Sequence, residues 1–348
     1  MLTEKEETRQ LWKCCFHDSE AFTDLYFRLR YRDDINITAQ REGRSVAALQ
    51  MIPYPMSWEK EGIPTAYISG ACTHPSYRNQ GIMGSLLADS FAQMHQRGIQ
   101  LATLIPAEPW LFGYYARFGF ASLFRYQVTS FVPSTDFVLP VGYRIVYGNT
   151  CRKELYEYFH RMQQQRSCYL LHTEEDFRVI LADLRLSGGY YALLQHNGTA
   201  AAVAILYPQA DGQGWMAGEW MAGEWMADTD AAGQTLLEGI CHEKRLQRVD
   251  IITPAYEEEG GRPLGMARLI NASAMLQRYA ARHPEASACF YLADKELTCN
   301  EGCYRIEQGE CKKSVGQLAS SDYPTLSISQ LTEMLLAPQH PYMSLMLN

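Results

Sequence analysis

The sequence predicts an α/β chain built as two mixed-sheet units in tandem, followed by a small α+β unit. Three observations predict this. Helical and strand periodicities alternate over residues 3–131 in the order α-α-β-β-β-α-β-α-β, the pattern of a sheet with helices packed on it. After the proline-containing stretch 133–140 (PSTDFVLP) a similar order begins again. From residue 263 the elements shorten into brief strands separated by turns. The boundaries read as 1–135, 136–262 and 263–348; at 348 residues the chain exceeds one ordinary core.

Residues 3–16 read as a helix with Leu11, Trp12 and Cys15 on one face, and 20–31 as a second with Phe22, Leu25, Tyr26 and Leu29 at helical spacing. INITAQ, a Glu42-Gly43 turn and SVAALQMIPY read as a hairpin. A strand at 65–73 runs into a helix at 81–97, then a buried strand at 99–105, a short aromatic helix at 109–118 and a long strand at 119–131. In the second unit, strand 143–148 precedes helices at 150–165 and 174–185. A hairpin turns at Asn197-Gly198, and helix 231–246 leads to strand 249–254. The five-residue repeat in 215–228 (WMAGEWMAGEWMAD) is too short for a core of its own and fits an extended hairpin. An odd period flips faces with each copy, so a bulge or loop is required. In the last unit GMARLINASAMLQRYAARH reads as a helix or a strand-helix pair, and SISQLTEMLLA as a helix capped by Ser327 or Ser329.

Composition narrows the function classes. A net charge of −8 argues against a general nucleic-acid surface, where Lys and Arg must neutralise phosphates, and suits a cationic small molecule. No apolar run has the length of about 18 residues that spans a bilayer, and MLTEKEETRQLW lacks an apolar signal core, so a cytoplasmic protein is expected. The ten cysteines are therefore expected to be reduced. Cys299-x3-Cys303-x7-Cys311 has no CxxC and no interleaved His, so no metal is expected there.

The chemistry concentrates in Gly70-Ala-Cys-Thr-His-Pro-Ser-Tyr-Arg-Asn-Gln-Gly-Ile-Met-Gly. Strand, turn and helix follow at once, with glycine at the helix entrance. Such a turn builds an anion site, because first-turn amides lack intrahelical partners and the helix dipole adds positive potential. Gly81 removes the side chain that would block a diphosphate, and Arg78 adds charge.

Residues Arg78-x-x-Gly81 resemble the acetyl-CoA-binding motif (Arg/Gln)-x-x-Gly-x-(Gly/Ala) of the GNAT superfamily of N-acetyltransferases. Met83 departs at the last position and Gly84 follows it. Tyr115-x-x-x-Gly119-Phe120 is similar to a second signature of that superfamily. The resemblance implies acetyl-CoA as cofactor, held around Cys72, Thr73, Arg78, Asn79, Gln80, Gly81, Ile82, Met83 and Gly84. It implies a backbone N–H near Cys72 or Thr73 for the thioester oxygen, and Tyr115 as proton donor to the leaving thiolate. His74 and Glu108 are alternative bases for the amine.

Over the whole chain the order resembles the Eis-like (enhanced intracellular survival) acetyltransferases. That resemblance implies a catalytic GNAT domain, a degenerate GNAT-like domain and a sterol-carrier-like α+β domain, with GMARLIN opening the last. It implies a small-molecule or lysine amine as acceptor and a homo-oligomer, trimer or hexamer. It implies the C-terminal carboxylate, here of Asn348, as general base. Asp33, Asp34, Trp110 and Phe112 are candidate acceptor-pocket walls. The competing readings are a non-catalytic binder of CoA or an apolar ligand, and a transferase with a larger donor such as an aminoacyl group.

Overall fold

The computed structural model describes residues 2–208, 220–255, 260–314 and 323–347. By its own contacts the chain forms two units: one of residues up to Phe124 together with Pro263–Pro341, the other of Arg125–Arg262 with Tyr342–Leu347.

The first unit begins with α1 (Glu4–Cys15), started by a capping box in which Thr3 and Glu6 bond each other's backbone N–H. Helix α2 (Glu20–Leu29) is capped by Ser19 and buries Leu25, Tyr26 and Phe27; Leu29, expected inside, is exposed. Strands β1 (Asn36–Arg41), β2 (Arg44–Trp58) and β3 (Glu61–Thr73) form an antiparallel meander. Helix α3 (Ile82–Gln96) crosses to β4 (Leu101–Leu104), which lies parallel to β3. Helix α4 (Pro109–Ala116) leads into β5 (Ala121–Phe131). The apolar face of α3, with Leu86, Leu87, Phe91 and Met94, packs on Leu49, Met51 and Ile68 of the sheet.

The β2–β3 hairpin is longer than the sequence predicts. Strand is expected only over 45–54 and 65–73, yet Pro55 and Pro64 also lie in paired strand. Strand β1 pairs with β2 only from Arg44 to Gln50. Beyond Gln50 that side of β2 has no β1 partner, so the N–H that Pro53 and Pro55 lack is not needed there.

After the second unit the chain returns. Strand β11 (Arg262–Leu269) pairs with β4 and gives the first unit the order β1-β2-β3-β4-β11. Residues Pro263–Pro341 group with the first unit by their contacts. It continues as α8 (Ala272–Arg282), β12 (Ala288–Ala293), β13 (Gly302–Glu307), β14 (Glu310–Ser314), β15 (Thr325–Ser327) and α9 (Ile328–Leu336), which Ser327 caps. The short strands order as β14-β13-β12-β15.

The second unit holds β6 (Tyr143–Gly148), α5 (Lys153–Gln164), α6 (Glu174–Leu186), β7 (Tyr190–His196), β8 (Thr199–Pro208), β9 (Trp220–Ala227), α7 (Asp230–Lys244) and β10 (Val249–Pro254). From Arg125 onward β5 belongs here, and the order is β5-β10-β9-β8-β7-β6 with both parallel and antiparallel pairs. Residues 215–219 of the repeat lie outside the described residues. In β9 the required bulge is present: Glu224 pairs with Ile205 and Ala222 with Leu206, leaving Gly223 unopposed. The bulge puts Ala222 and Trp225, three positions apart, in the same apolar core. Both units are α/β with mixed sheets.

Candidate active site

Strands β3 and β4 pair only where Thr65–Tyr67 meet Leu101–Thr103. Strand β3 runs on to Thr73 while β4 stops at Leu104, so one edge of β3 opens into a cleft. A bulge marks the divergence: Cys72 pairs with Ala48 and Ser69 with Gln50, leaving Gly70 and Ala71 opposite Leu49. Gly70 sits at φ +61°, and a Cβ there would stand 2.4 Å from Cζ3 of Trp12. No other residue fits that conformation and that contact.

The amide of His74 donates to Val46 O on β2 at 2.8 Å. Backbone groups alternate sides along a strand, so Cys72 N–H also faces β2, and the peptide groups of Thr73 face the cleft. Thr73 O accepts there from Cys15 Sγ at 3.3 Å and Arg78 Nε at 3.2 Å. Of Cys72 and Thr73, Thr73 is the one whose peptide groups face the cleft.

The turn after β3 bends through left-handed Asn79 (φ 62°) and Gly81 (φ 74°) into α3. The peptide N–H of Arg78 is taken by Pro75 O at 3.3 Å, so this residue's cationic side chain is what it brings to the cleft. The first intrahelical bond of α3 runs from Ser85 N to Gly81 O. No side chain among the described residues caps the amides before it. Thr3, Ser19, Thr173, Thr229, Asn271 and Ser327 cap other helices of this chain. A Cβ at Gly81 would meet nothing within 4 Å, so the N-terminus of α3 opens onto space. Gly84, by contrast, sits where a Cβ would be 3.0 Å from Phe118 Cζ, which brings α3 close to the end of α4.

The cleft between these elements has a volume of about 780 Å³, and its walls include Thr73, Arg78, Gly81, Met83, Glu108 and Tyr115. Cys72, Asn79, Ile82 and Gly84 also reach it. Gln80 does not: its Nε2 donates back to Ser76 O at 3.4 Å. An uncapped helix start, two left-handed turn residues and open space at Gly81 fit the diphosphate of a CoA-type ligand.

Tyr115 lies on α4, its ring edge-on to Tyr114 and Phe120, and only 7% of the residue is exposed. Among the described residues its hydroxyl has no hydrogen-bond partner. Burial, with Tyr114 and Cys72 adding to it, pushes its pKa well above the ordinary tyrosine value, so it stays in the proton-donating form. Gly119 (φ 83°) follows, where a Cβ would stand 2.2 Å from Arg268 Nη1. The buried Arg268 donates to Phe118 O at 2.6 Å and pairs with Asp294 at 2.7 Å.

The remaining candidates separate. His74 Nδ1 accepts from Ser76 N at 3.3 Å, and His74 lines a different cavity. Glu108 and Trp110 line the cleft; Asp33, Asp34 and Phe112 do not. Asp34 pairs with Arg32 at 2.9 Å, and Phe112 packs against the core. Asn348 lies outside the described residues. The tail before it is held by the second unit: Tyr342 N donates to Cys168 O at 3.0 Å, and His172 Nε2 contacts Ser344 O at 2.9 Å. Ser344 Oγ also bonds the buried Glu224, which pairs with Arg166. Among the cleft residues that sequence reasoning missed are Cys15, Arg117 and Lys295.

Residues 2–123 match a family model described as Acetyltransferase (GNAT) domain. Among solved structures the chain is similar to a protein of Enterococcus faecalis described as a probable N-acyltransferase, with 15% identity, TM-score 0.74, and 96% of this chain and 87% of that one covered. It is similar to a GCN5-related N-acetyltransferase from Anabaena variabilis, with 16% identity, TM-score 0.73 and coverage of 97% and 96%. It is also similar to Eis1 from Mycobacterium abscessus, with 12% identity, TM-score 0.70 and coverage of 97% and 88%. At such identities the likeness is one of fold. No curated protein sequence matches the chain. No helix among the described residues is long and apolar enough to cross a membrane. The family match and the cleft at Gly81 agree on the same stretch of chain: residues 2–123 are an acetyltransferase domain of the GNAT type.

Proposed function

We propose that this chain transfers the acetyl group of acetyl-CoA directly to a primary amine of a small molecule or a lysine. The observation that carries the reading is the uncapped start of α3 at Gly81, opening into the cleft that also holds Tyr115. Acetyl-CoA supplies the activated acyl thioester. The amides of Ile82, Met83 and Gly84 bind its diphosphate, with Arg78 adding positive charge. Thr73 N–H, on the cleft edge of β3, donates to the thioester oxygen as charge gathers there. Tyr115 gives its proton toward the departing sulfur.

By the resemblance to Eis-like enzymes the base that takes the amine proton is the carboxylate of Asn348; Glu108 is the alternative in the cleft wall. On the same reading, 1–135 is the catalytic domain, 136–262 a degenerate GNAT-like domain and 263–348 a sterol-carrier-like domain. The protein works in the cytoplasm as a homo-oligomer, trimer or hexamer.

The test is release of free thiol from acetyl-CoA with a panel of polyamines, aminoglycosides and lysine peptides. Amine-dependent release, lost in Tyr115→Phe, supports transfer. Binding of acetyl-CoA without turnover of any amine favours the non-catalytic binder instead.

A further inference from the structure

Direct transfer leaves the thiol of Cys15 in the cleft without a task. Cys15 ends α1 and Cys72 stands beside the end of β3; both line the cleft. Cys72 is packed with Leu11 and Ala48, and Cys15 and Phe16 lie against that cluster. Cys15 Sγ and Arg78 Nε bond the same oxygen, Thr73 O, at 3.3 and 3.2 Å. A partly open thiol therefore shares an acceptor with a guanidinium, on the strand edge that faces the ligand. When the thiol ionises, its bond to Thr73 O is given up and Arg78 keeps that oxygen.

The two sulfurs are not equivalent. A hydrogen bond from Cys72, with help from Arg78, pulls the Cys15 thiol down to about 6 against the effect of burial. The same contact with Cys15, reinforced by burial, pushes the Cys72 thiol well up, so Cys72 keeps its proton. The C-terminal end of α1 works against a thiolate at Cys15, by a smaller amount than a nearby guanidinium favours it.

We propose that Cys15 is an acyl-accepting nucleophile that becomes S-acetylated by acetyl-CoA when no amine occupies the cleft. The proposal rests on the reading that this cleft takes acetyl-CoA. Cys15 Sγ forms a bond to the acetyl carbonyl carbon, and the bond from that carbon to the CoA sulfur breaks. The electron pair leaves with that sulfur, which recovers the proton given up by Cys15. One thioester replaces another, so no oxidant or reductant is consumed and added CoA reverses the step.

The experiment is intact-mass and peptide analysis of the reduced full-length protein after incubation with acetyl-CoA alone, with binding measured separately by calorimetry. The expected result is one acetyl adduct on Cys15, cleaved by neutral hydroxylamine, reversed by excess CoA, kept in Cys14→Ser and absent in Cys15→Ser. If Cys15→Ser does not fold, site mapping of the unmutated chain and slower labelling of Cys72→Ser decide. Measured binding with no adduct, or an adduct confined to another cysteine or a lysine, overturns the proposal and leaves the proposed function standing. Absence of binding overturns both.

Discussion

Arg268 and Asp294 form a fully buried ion pair whose cation also holds the end of α4: Arg268 Nη2 meets Asp294 Oδ1 at 2.7 Å, and Nη1 donates to Phe118 O at 2.6 Å. The pair fixes the chain between Tyr115 and β5 from a residue 150 positions away in sequence. Removing one partner strands a buried charge, at a cost of about 3–5 kcal/mol. Arg268→Ala is therefore expected to lower unfolding free energy by that amount in urea titration, and to weaken turnover because α4 loses its anchor.

Tyr115→Phe keeps the ring packing against Tyr114 and Phe120 and removes only the hydroxyl proposed as proton donor. Turnover is expected to fall by about 10²–10⁴ with little change in acetyl-CoA affinity. Burial raises the phenol's pKa, and a phenol is neutral below its pKa. Ionisation of Tyr115 is thus shifted upward, and the rate–pH profile is expected to show no falling limb from this group below about pH 10.

Deleting Asn348 is expected to cut turnover by about 100-fold, the scale of one general base, while Glu108→Gln changes it far less. The opposite ranking, measured with saturating amine, assigns the base to Glu108.

The described part of the tail depends on a buried charge in β9. Glu224 accepts from Arg166, from Tyr169 Oη at 2.8 Å and from Ser344 Oγ. Glu224→Ala leaves the Arg166 guanidinium beside Tyr169 and Tyr342 without that carboxylate. A loss of about 3–5 kcal/mol is expected in thermal or urea unfolding.

Much of this architecture is local and can be read from the sequence, because periodicity, caps and turn residues act over a few positions. The helices expected over 3–16 and 20–31 are present, Ser327 caps the last one, and the strand–turn–helix at Gly81 folds as its residues dictate. What the sequence hides is pairing over distance. Pro55 and Pro64 lie beyond the strands that periodicity marks, and only the pairing of β2 with β3 draws them into the sheet. Arg268 carries no motif, and its value comes from Asp294 and Phe118 meeting it in space. Cys15 looks like a helix-face thiol because Thr73 and Arg78 lie about sixty residues on and only the folded strand end brings them together. The face of α2 was displaced by one such contact set: Phe27 stacks on Tyr31 and meets Trp12, and Leu29 turns outward.

If the main chain around Gly81 binds the diphosphate of acetyl-CoA, a side chain placed there weakens the complex, and calorimetric titration of acetyl-CoA into Gly81→Asn measures that loss. Asparagine tolerates the left-handed backbone, so the variant keeps the turn while placing a side chain in the open space. Expected are a melting temperature lowered by a few degrees at most and binding at least about tenfold weaker, or roughly 1.4 kcal/mol, than in the unmutated chain. Equal affinity in the two proteins would contradict it.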